Sequence, residues 1–181
     1  AKVLGYKSRA AFKLIELNEK FNFIKKNSNL LDIGSTPGGW SQVASKIITN
    51  GKVLAVDITP MEKLNNLLFL NNDFSEEQTQ DEILKIFDDK IDVIISDMAE
   101  NTTGNKNVDD ISTGELCKKA MFFAKEILNK NGIFVSKIFM GSSFKEIISE
   151  SKSIFKETRV YKPMSSKKDS KESFIICKFL R

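Results

Sequence analysis

Short apolar runs alternate along the chain with stretches whose apolar positions recur at helical spacing. Residues 30–33, 53–58, 67–70, 91–96 and 133–140 read as strands. The run 91–96, Ile-Asp-Val-Ile-Ile-Ser, is nearly all apolar, as a strand covered on both faces should be. Between these runs, 8–21, 39–49, 76–87, 113–129 and 144–152 read as helices; in the first, Ala11, Leu14, Ile15 and Leu17 fall near helical spacing. Asn131-Gly132 reads as the C-cap of helix 113–129. The tail offers two last strands, 156–161 and 173–179, joined by a polar loop over 163–171. Alternation of this kind predicts an α/β fold: a mostly parallel sheet with helices on both faces. A final pair joined without a helix predicts a closing antiparallel hairpin. Ligands of such sheets sit at the carboxyl ends of the strands, at the topological switch point, so candidate chemistry is sought just after each strand.

No repeat, linker or long charge block interrupts the pattern, and 181 residues with 41% hydrophobic side chains make one domain, 1–181, with a sizeable core. No apolar run approaches the roughly 18 residues of a membrane helix, and the first residues are no secretory signal, so no membrane association is expected. The chain starts without Met, which suggests processing or trimming. It holds no histidine, which removes histidine triads, bases and metal ligands. Cys117 and Cys177 lie far apart with no C-x-x-C, arguing against a zinc ribbon or dithiol site and fitting a reducing compartment. No metal site is expected. Chemistry here must run on Lys, Asp, Glu, Ser, Tyr or a cofactor. A net charge of +4 leans mildly toward a polyanionic partner.

The first strand runs into Leu31-Asp32-Ile33-Gly34-Ser35-Thr36-Pro37-Gly38-Gly39-Trp40 and then a helix. A glycine turn there lets a ligand approach the backbone, and the helix N-terminus offers free N–H groups. The spacing is neither G-x-G-x-x-G nor a P-loop, which disfavours a nicotinamide dehydrogenase and a nucleotide triphosphatase. Asp57 ends the second strand nineteen residues past Gly38, where an acid can bond a ribose diol; a helix cap is the competing reading. Asp73 follows the third strand, placed either to accept from an adenine amino group or to make an Asx turn. Asp97 is delivered by the apolar fourth strand to the ligand edge, and buried carboxylates need partners. Lys137 shares a strand face with Ile133, Val135 and Phe139, so it is paired with acids, shifted toward neutrality, or snorkels to water. Lys13 reads as a helix-surface charge and Glu172 as an exposed acid opening the last strand; spacing alone selects neither. Trp40 reads as a pocket wall or a core residue. Basic residues cluster at Lys2, Lys7, Arg9 and Lys13 and again at Lys162, Lys167, Lys168 and Lys171. If the clusters adjoin in space they form a rim for phosphates.

Several of these stretches together resemble the FtsJ/RrmJ-type ribosomal RNA 2′-O-ribose methyltransferases along nearly the whole chain. They are Ser8-Arg9-Ala10-Ala11-Phe12-Lys13-Leu14; Asp32 through Gln42; Ser96-Asp97-Met98-Ala99 with Asn101 and Gly104; Lys137-Ile138-Phe139 with Gly141; and Lys162-Pro163, Ser165-Ser166 and Ser170-Lys171-Glu172. The resemblance implies a Rossmann-like sheet of seven strands that binds S-adenosyl-L-methionine. It also implies a catalytic tetrad, which by motif falls on Lys13, Asp97, Lys137 and Glu172. The cofactor positions it implies are Gly38, Gly39, Trp40, Asp57, Asp73 and Asp97. Two departures stand out. Ser35-Thr36 replaces the usual pair of alanines, small for small, so cofactor binding is expected to survive. Residues 1–7 are expected to be the remnant of a longer basic arm.

The implied reaction is in-line transfer of a sulfonium methyl to a ribose 2′-hydroxyl, with Lys137 as candidate base or as a cation that orients the hydroxyl. The family-typical substrate is the A-loop uridine of large-subunit ribosomal RNA, within the large ribosomal subunit. Transfer RNA is the alternative substrate, and a silent RNA-binding assembly factor the alternative class. A monomer is expected, in the cytoplasm or an organelle matrix.

Overall fold

The computed structural model describes residues 4–98 and 105–181. Lys2 of the first basic cluster and Ala99, Asn101 and Gly104 of the fourth-strand motif lie outside these residues. The elements run α1 (Ala10–Phe21), β1 (Leu30–Ile33), α2 (Gly39–Ile47), β2 (Val53–Val56), β3 (Leu68–Leu70), α3 (Glu77–Phe87), β4 (Ile91–Ser96), α4 (Lys106–Ile127), β5 (Leu128–Phe139), α5 (Phe144–Ile154), β6 (Phe155–Tyr161) and β7 (Glu172–Leu180). They form one seven-stranded sheet in the order β3-β2-β1-β4-β5-β7-β6. Pairings from β3 through β5 are parallel, and β7 runs antiparallel to both β5 and β6. This is the expected mostly parallel sheet with a closing hairpin.

The period-2 alternation of the strands sorts the core into two layers. On one face Leu30, Val53, Val93, Ile95, Val135 and Phe174 pack against Leu14 and Leu17 of α1 and Val43 of α2. On the other Leu31, Leu54, Ile94, Phe134, Ile138 and Ile175 pack against α3, α4 and α5 through Ile83, Met121 and Ile147. The central strands β1 and β2 are buried along their whole length, which explains why their sequences read as short continuous apolar runs.

One expectation fails at the α4–β5 junction. Helix 113–129 instead spans Lys106–Ile127, and Asn131-Gly132 is no C-cap but part of β5. Pairing with β4 jumps from Ile91–Leu128 to Val93–Ile133, so the intervening residues bulge out of the ladder. Gly132 is needed there because a Cβ would fall 2.8 Å from the Asn129 carbonyl oxygen. A glycine that follows helical periodicity signals a tight approach as readily as a cap, and only the tertiary pairing distinguishes them.

Candidate active site

Three strands and one helix converge on the carboxyl edge of the sheet. Asp97 directly follows β4, on the rung after the Ser96–Ser136 pair, and so stands beside Lys137 of β5. Because β7 is antiparallel, it begins where the parallel strands end: its first residue, Glu172, pairs with Phe139, and Lys137 pairs with Phe174. Lys137 and Glu172 are thus diagonal neighbours on one face. That face is the one α1 covers, and α1 brings in Lys13.

The side chains form a chain of alternating charge. Lys13 Nζ lies 2.5 Å from Glu172 Oε1, Glu172 Oε2 lies 3.4 Å from Lys137 Nζ, and Lys137 Nζ lies 3.1 Å from Asp97 Oδ1. The Lys137 and Glu172 side chains are each only 12% exposed, so neither is the solvated charge of the blander reading. Burial works against the charge on Lys137, but the carboxylates of Asp97 and Glu172 outweigh it and hold the ammonium above the usual lysine range. Burial pushes Asp97 up, opposed chiefly by Lys137. Each charge is tenable only beside the other.

The neighbouring slot is built at the ends of β1, β2, β3 and β4. It encloses about 240 Å³ and is lined by Gly34, Asp57, Ile58, Asp73, Phe74 and Met98 among others. Gly34 has φ +71°, and a Cβ on it would lie 2.1 Å from Met98 Cγ, so only glycine lets the turn pass under Met98. Gly38 caps α2 in the left-handed region and Gly39 opens the helix. Asp57 Oδ2 accepts from the Thr36 N–H (2.9 Å) and Oδ1 from the Thr59 N–H (2.8 Å), tying the turn after β1 to the loop after β2. Asp73 makes the Asx turn, its Oδ1 accepting from Ser75 N–H at 2.9 Å and Oγ at 2.7 Å, and these bonds hold its carboxyl below the usual range. A carboxylate has lone pairs to spare, so both remain fit to accept from a ligand. Trp40 is 3% exposed, donates its indole N–H to the Ala10 carbonyl at 2.8 Å and lies on Phe174. It joins α2 to α1 and β7 as a core residue that also borders a small cavity beside Asp32 and Asp97. Apolar walls, two carboxylates and a close-approach glycine turn fit a nucleoside-bearing cofactor of the S-adenosylmethionine type.

On the other side of the tetrad lies a larger cleft of about 570 Å³, lined by Arg9, Phe12, Lys13, Ser166, Lys167 and Glu172 among others. The two basic clusters therefore adjoin. Lys162, counted among them in sequence, turns its ammonium onto the carbonyl oxygens of Lys168 and Ser170 instead.

Asp32 entered the sequence reading only as part of the glycine-turn motif, with no role of its own. It is 1% exposed, accepts from Ser41 Oγ at 2.6 Å, and burial pushes its carboxyl up to about 8. An acid inside the apolar run 30–33 was the available signal. Thr36, at the departure from the usual alanines, donates its hydroxyl to the Thr59 carbonyl at 2.9 Å. Phe12 was visible only as part of a motif, and Arg9 only there and in a basic cluster, because nothing local says that a helix-start side chain meets a loop near residue 165.

Residues 6–180 match the FtsJ-like methyltransferase family. A ribosomal RNA large subunit methyltransferase E of Pelagibacter ubique is 50% identical over 181 residues, all of this chain and 89% of that protein. A crystal structure from Plasmodium falciparum, described as that of a ribosomal RNA methyltransferase, superposes at TM-score 0.87 with 32% identity, covering 97% of this chain and 98% of the other. A Streptococcus mutans protein solved with S-adenosylhomocysteine shares the fold at TM-score 0.58 and 16% identity, covering 92% of this chain and 97% of the other. The likeness spans both ends of the sheet and every segment that builds the tetrad, and the chain belongs to the FtsJ-like methyltransferase family.

Proposed function

We propose that this protein methylates a ribose 2′-hydroxyl of large-subunit ribosomal RNA from S-adenosylmethionine, with the A-loop uridine as its target. The observation that carries the reading is the chain Lys13–Glu172–Lys137–Asp97, set between a nucleoside-sized slot and a basic cleft. The relatives' names support ribosomal RNA over transfer RNA.

When bound, the cofactor supplies a methyl group activated on a sulfonium. Asp57, Asp73 and the apolar walls of the slot would hold its nucleoside part. Lys137 receives the ribose hydroxyl from the cleft side. Two of its three ammonium protons face Asp97 and Glu172, and the third is free to orient the hydroxyl oxygen. To take the hydroxyl proton Lys137 must first release one of its own to solvent, and it passes the proton it takes to solvent after transfer. The two acids resist that loss, while Lys13 and the excess positive charge of the loaded site favour it. Lys13 lies against the other oxygen of Glu172, which weakens the grip of that carboxylate on Lys137. The rest of the rate comes from alignment of oxygen and methyl.

The test is transfer of tritiated methyl to unmodified large ribosomal subunits, with unmodified transfer RNA in parallel. Label in subunit RNA that is absent with Lys137→Met supports the reading, and mapping it to the A-loop uridine supports the target. Label confined to transfer RNA overturns the substrate. No label in either, with S-adenosylhomocysteine bound, favours a silent assembly factor.

A further inference from the structure

The loop 163–171 between β6 and β7 contains no helix or strand, yet it walls the cleft through Ser165, Ser166, Lys167 and Ser170. Two side chains of opposite charge hold its backbone. From α1, Glu16 accepts from the Met164 N–H at 2.6 Å, the Ser165 N–H at 3.0 Å and the Ser165 hydroxyl at 3.2 Å. The same carboxylate takes the Tyr161 hydroxyl at 2.8 Å, at the end of β6. At the far end of the loop, Lys162 donates to the carbonyl of Lys168 at 3.3 Å and to that of Ser170. Ser170 Oγ in turn accepts from the Glu172 N–H at 3.1 Å, so the clasp runs into the tetrad. Within this frame the Ser166 hydroxyl is buried and has no partner among the described residues.

We propose that Glu16 and Lys162 are positioning residues for RNA recognition, clasping the 163–171 loop into the shape in which it walls the cleft beside Glu172. The inference rests on RNA being the substrate. It makes Lys162 something other than a phosphate contact, although it sits in a basic cluster. It also gives an acid on a basic rim a constructive role. A carboxylate there repels RNA at long range, so charge alone predicts tighter binding when Glu16 is neutralised. Positioning predicts the opposite, because a glutamine amide would turn N–H groups toward the loop's own N–H donors. The clasp also fixes the loop before RNA arrives, so its ordering entropy does not oppose binding.

The experiment compares Glu16→Gln, Lys162→Met and Lys167→Ala with the unchanged protein, first without RNA and then with it. Without RNA, trypsin cleavage after Lys167, Lys168 and Lys171 is expected to accelerate in the first two variants while the thermal midpoint and S-adenosylhomocysteine affinity hold. With unmodified large ribosomal subunits, their apparent KM is expected to rise about tenfold, as loss of charge-assisted bonds implies, with kcat little changed. Lys167→Ala is expected to lower the salt slope of binding by about one, and Lys162→Met to leave it unchanged. The proposal falls if Glu16→Gln binds subunits as well as or better than the unchanged protein. It falls equally if Lys162→Met lowers the salt slope as Lys167→Ala does, or if loop cleavage is unaltered in both clasp variants. Should the unchanged protein label no RNA, the functional reading fails by itself, and loop cleavage still decides whether the clasp exists.

Discussion

Asp32 gives the site a pH dependence that can be worked from its surroundings. Its carboxyl is buried beneath the glycine turn, meets one hydroxyl from Ser41 and feels the negative charges of Asp97 and Asp57. Burial is the dominant cause of its rise from 3.8 to about 8. The folded protein therefore keeps this proton over a range in which the unfolded chain has released it. Raising the pH removes stability, by about 1.4 kcal/mol per pH unit between those two values and no further above the upper one. From pH 6 to pH 8 the loss is about 2 kcal/mol, or roughly 4–8 °C in thermal midpoint for a domain of this size. Asp32→Asn keeps the shape, and asparagine can still accept from Ser41, but nothing titrates. The assay is thermal unfolding of both proteins across pH 5–9, read as their difference. With no histidine in the chain, no other side chain has an ordinary titration near pH 7. The difference should move in favour of Asp32→Asn by about 2 kcal/mol between pH 6 and pH 8. Parallel curves would refute a buried, protonated Asp32.

Three further outcomes are expected. Lys137→Met should lower methyl transfer by about 10²–10⁴-fold, as loss of a proton-transfer group does, with S-adenosylhomocysteine affinity retained in calorimetry; lost affinity would move Lys137 out of its assigned role. Asp57→Ala releases the Thr36 and Thr59 N–H groups and should weaken cofactor binding by about tenfold or more without changing RNA binding, measured by calorimetry and filter binding. Gly34→Ala combines a positive φ with a contact 2.1 Å from Met98 Cγ, and should cost about 1–3 kcal/mol in denaturant unfolding as well as weakening the cofactor slot.

Sequence legibility followed the range of the interactions involved. Strands 30–33 and 91–96 were legible to the residue because continuous burial writes itself as continuous apolarity. The end of α4 was not, since Asn131-Gly132 serves a bulge whose partner strand lies some forty residues earlier. Within the site, Asp97 and Lys137 could be suspected locally, as charges at or inside apolar strands. Lys13 and Glu172 could not: their pairing joins residues 159 apart, and only a family resemblance singled them out. Glu16 was invisible for the same reason, its loop partners lying 148 and 149 residues away.

The antiparallel β7 threads between β5 and β6, and it carries the last member of the tetrad. A ribosome making this chain emits Lys13 early and Glu172 159 residues later, about ten to thirty seconds apart at ordinary synthesis rates. Until β7 slots into the sheet, Lys137 lacks one of its two acids and Lys13 lacks its partner. The residues that line the slot beside the glycine turn, Gly34 through Lys119, are all made before β7. On the roles proposed for the four tetrad residues, catalytic competence arrives in one step, with closure of the sheet.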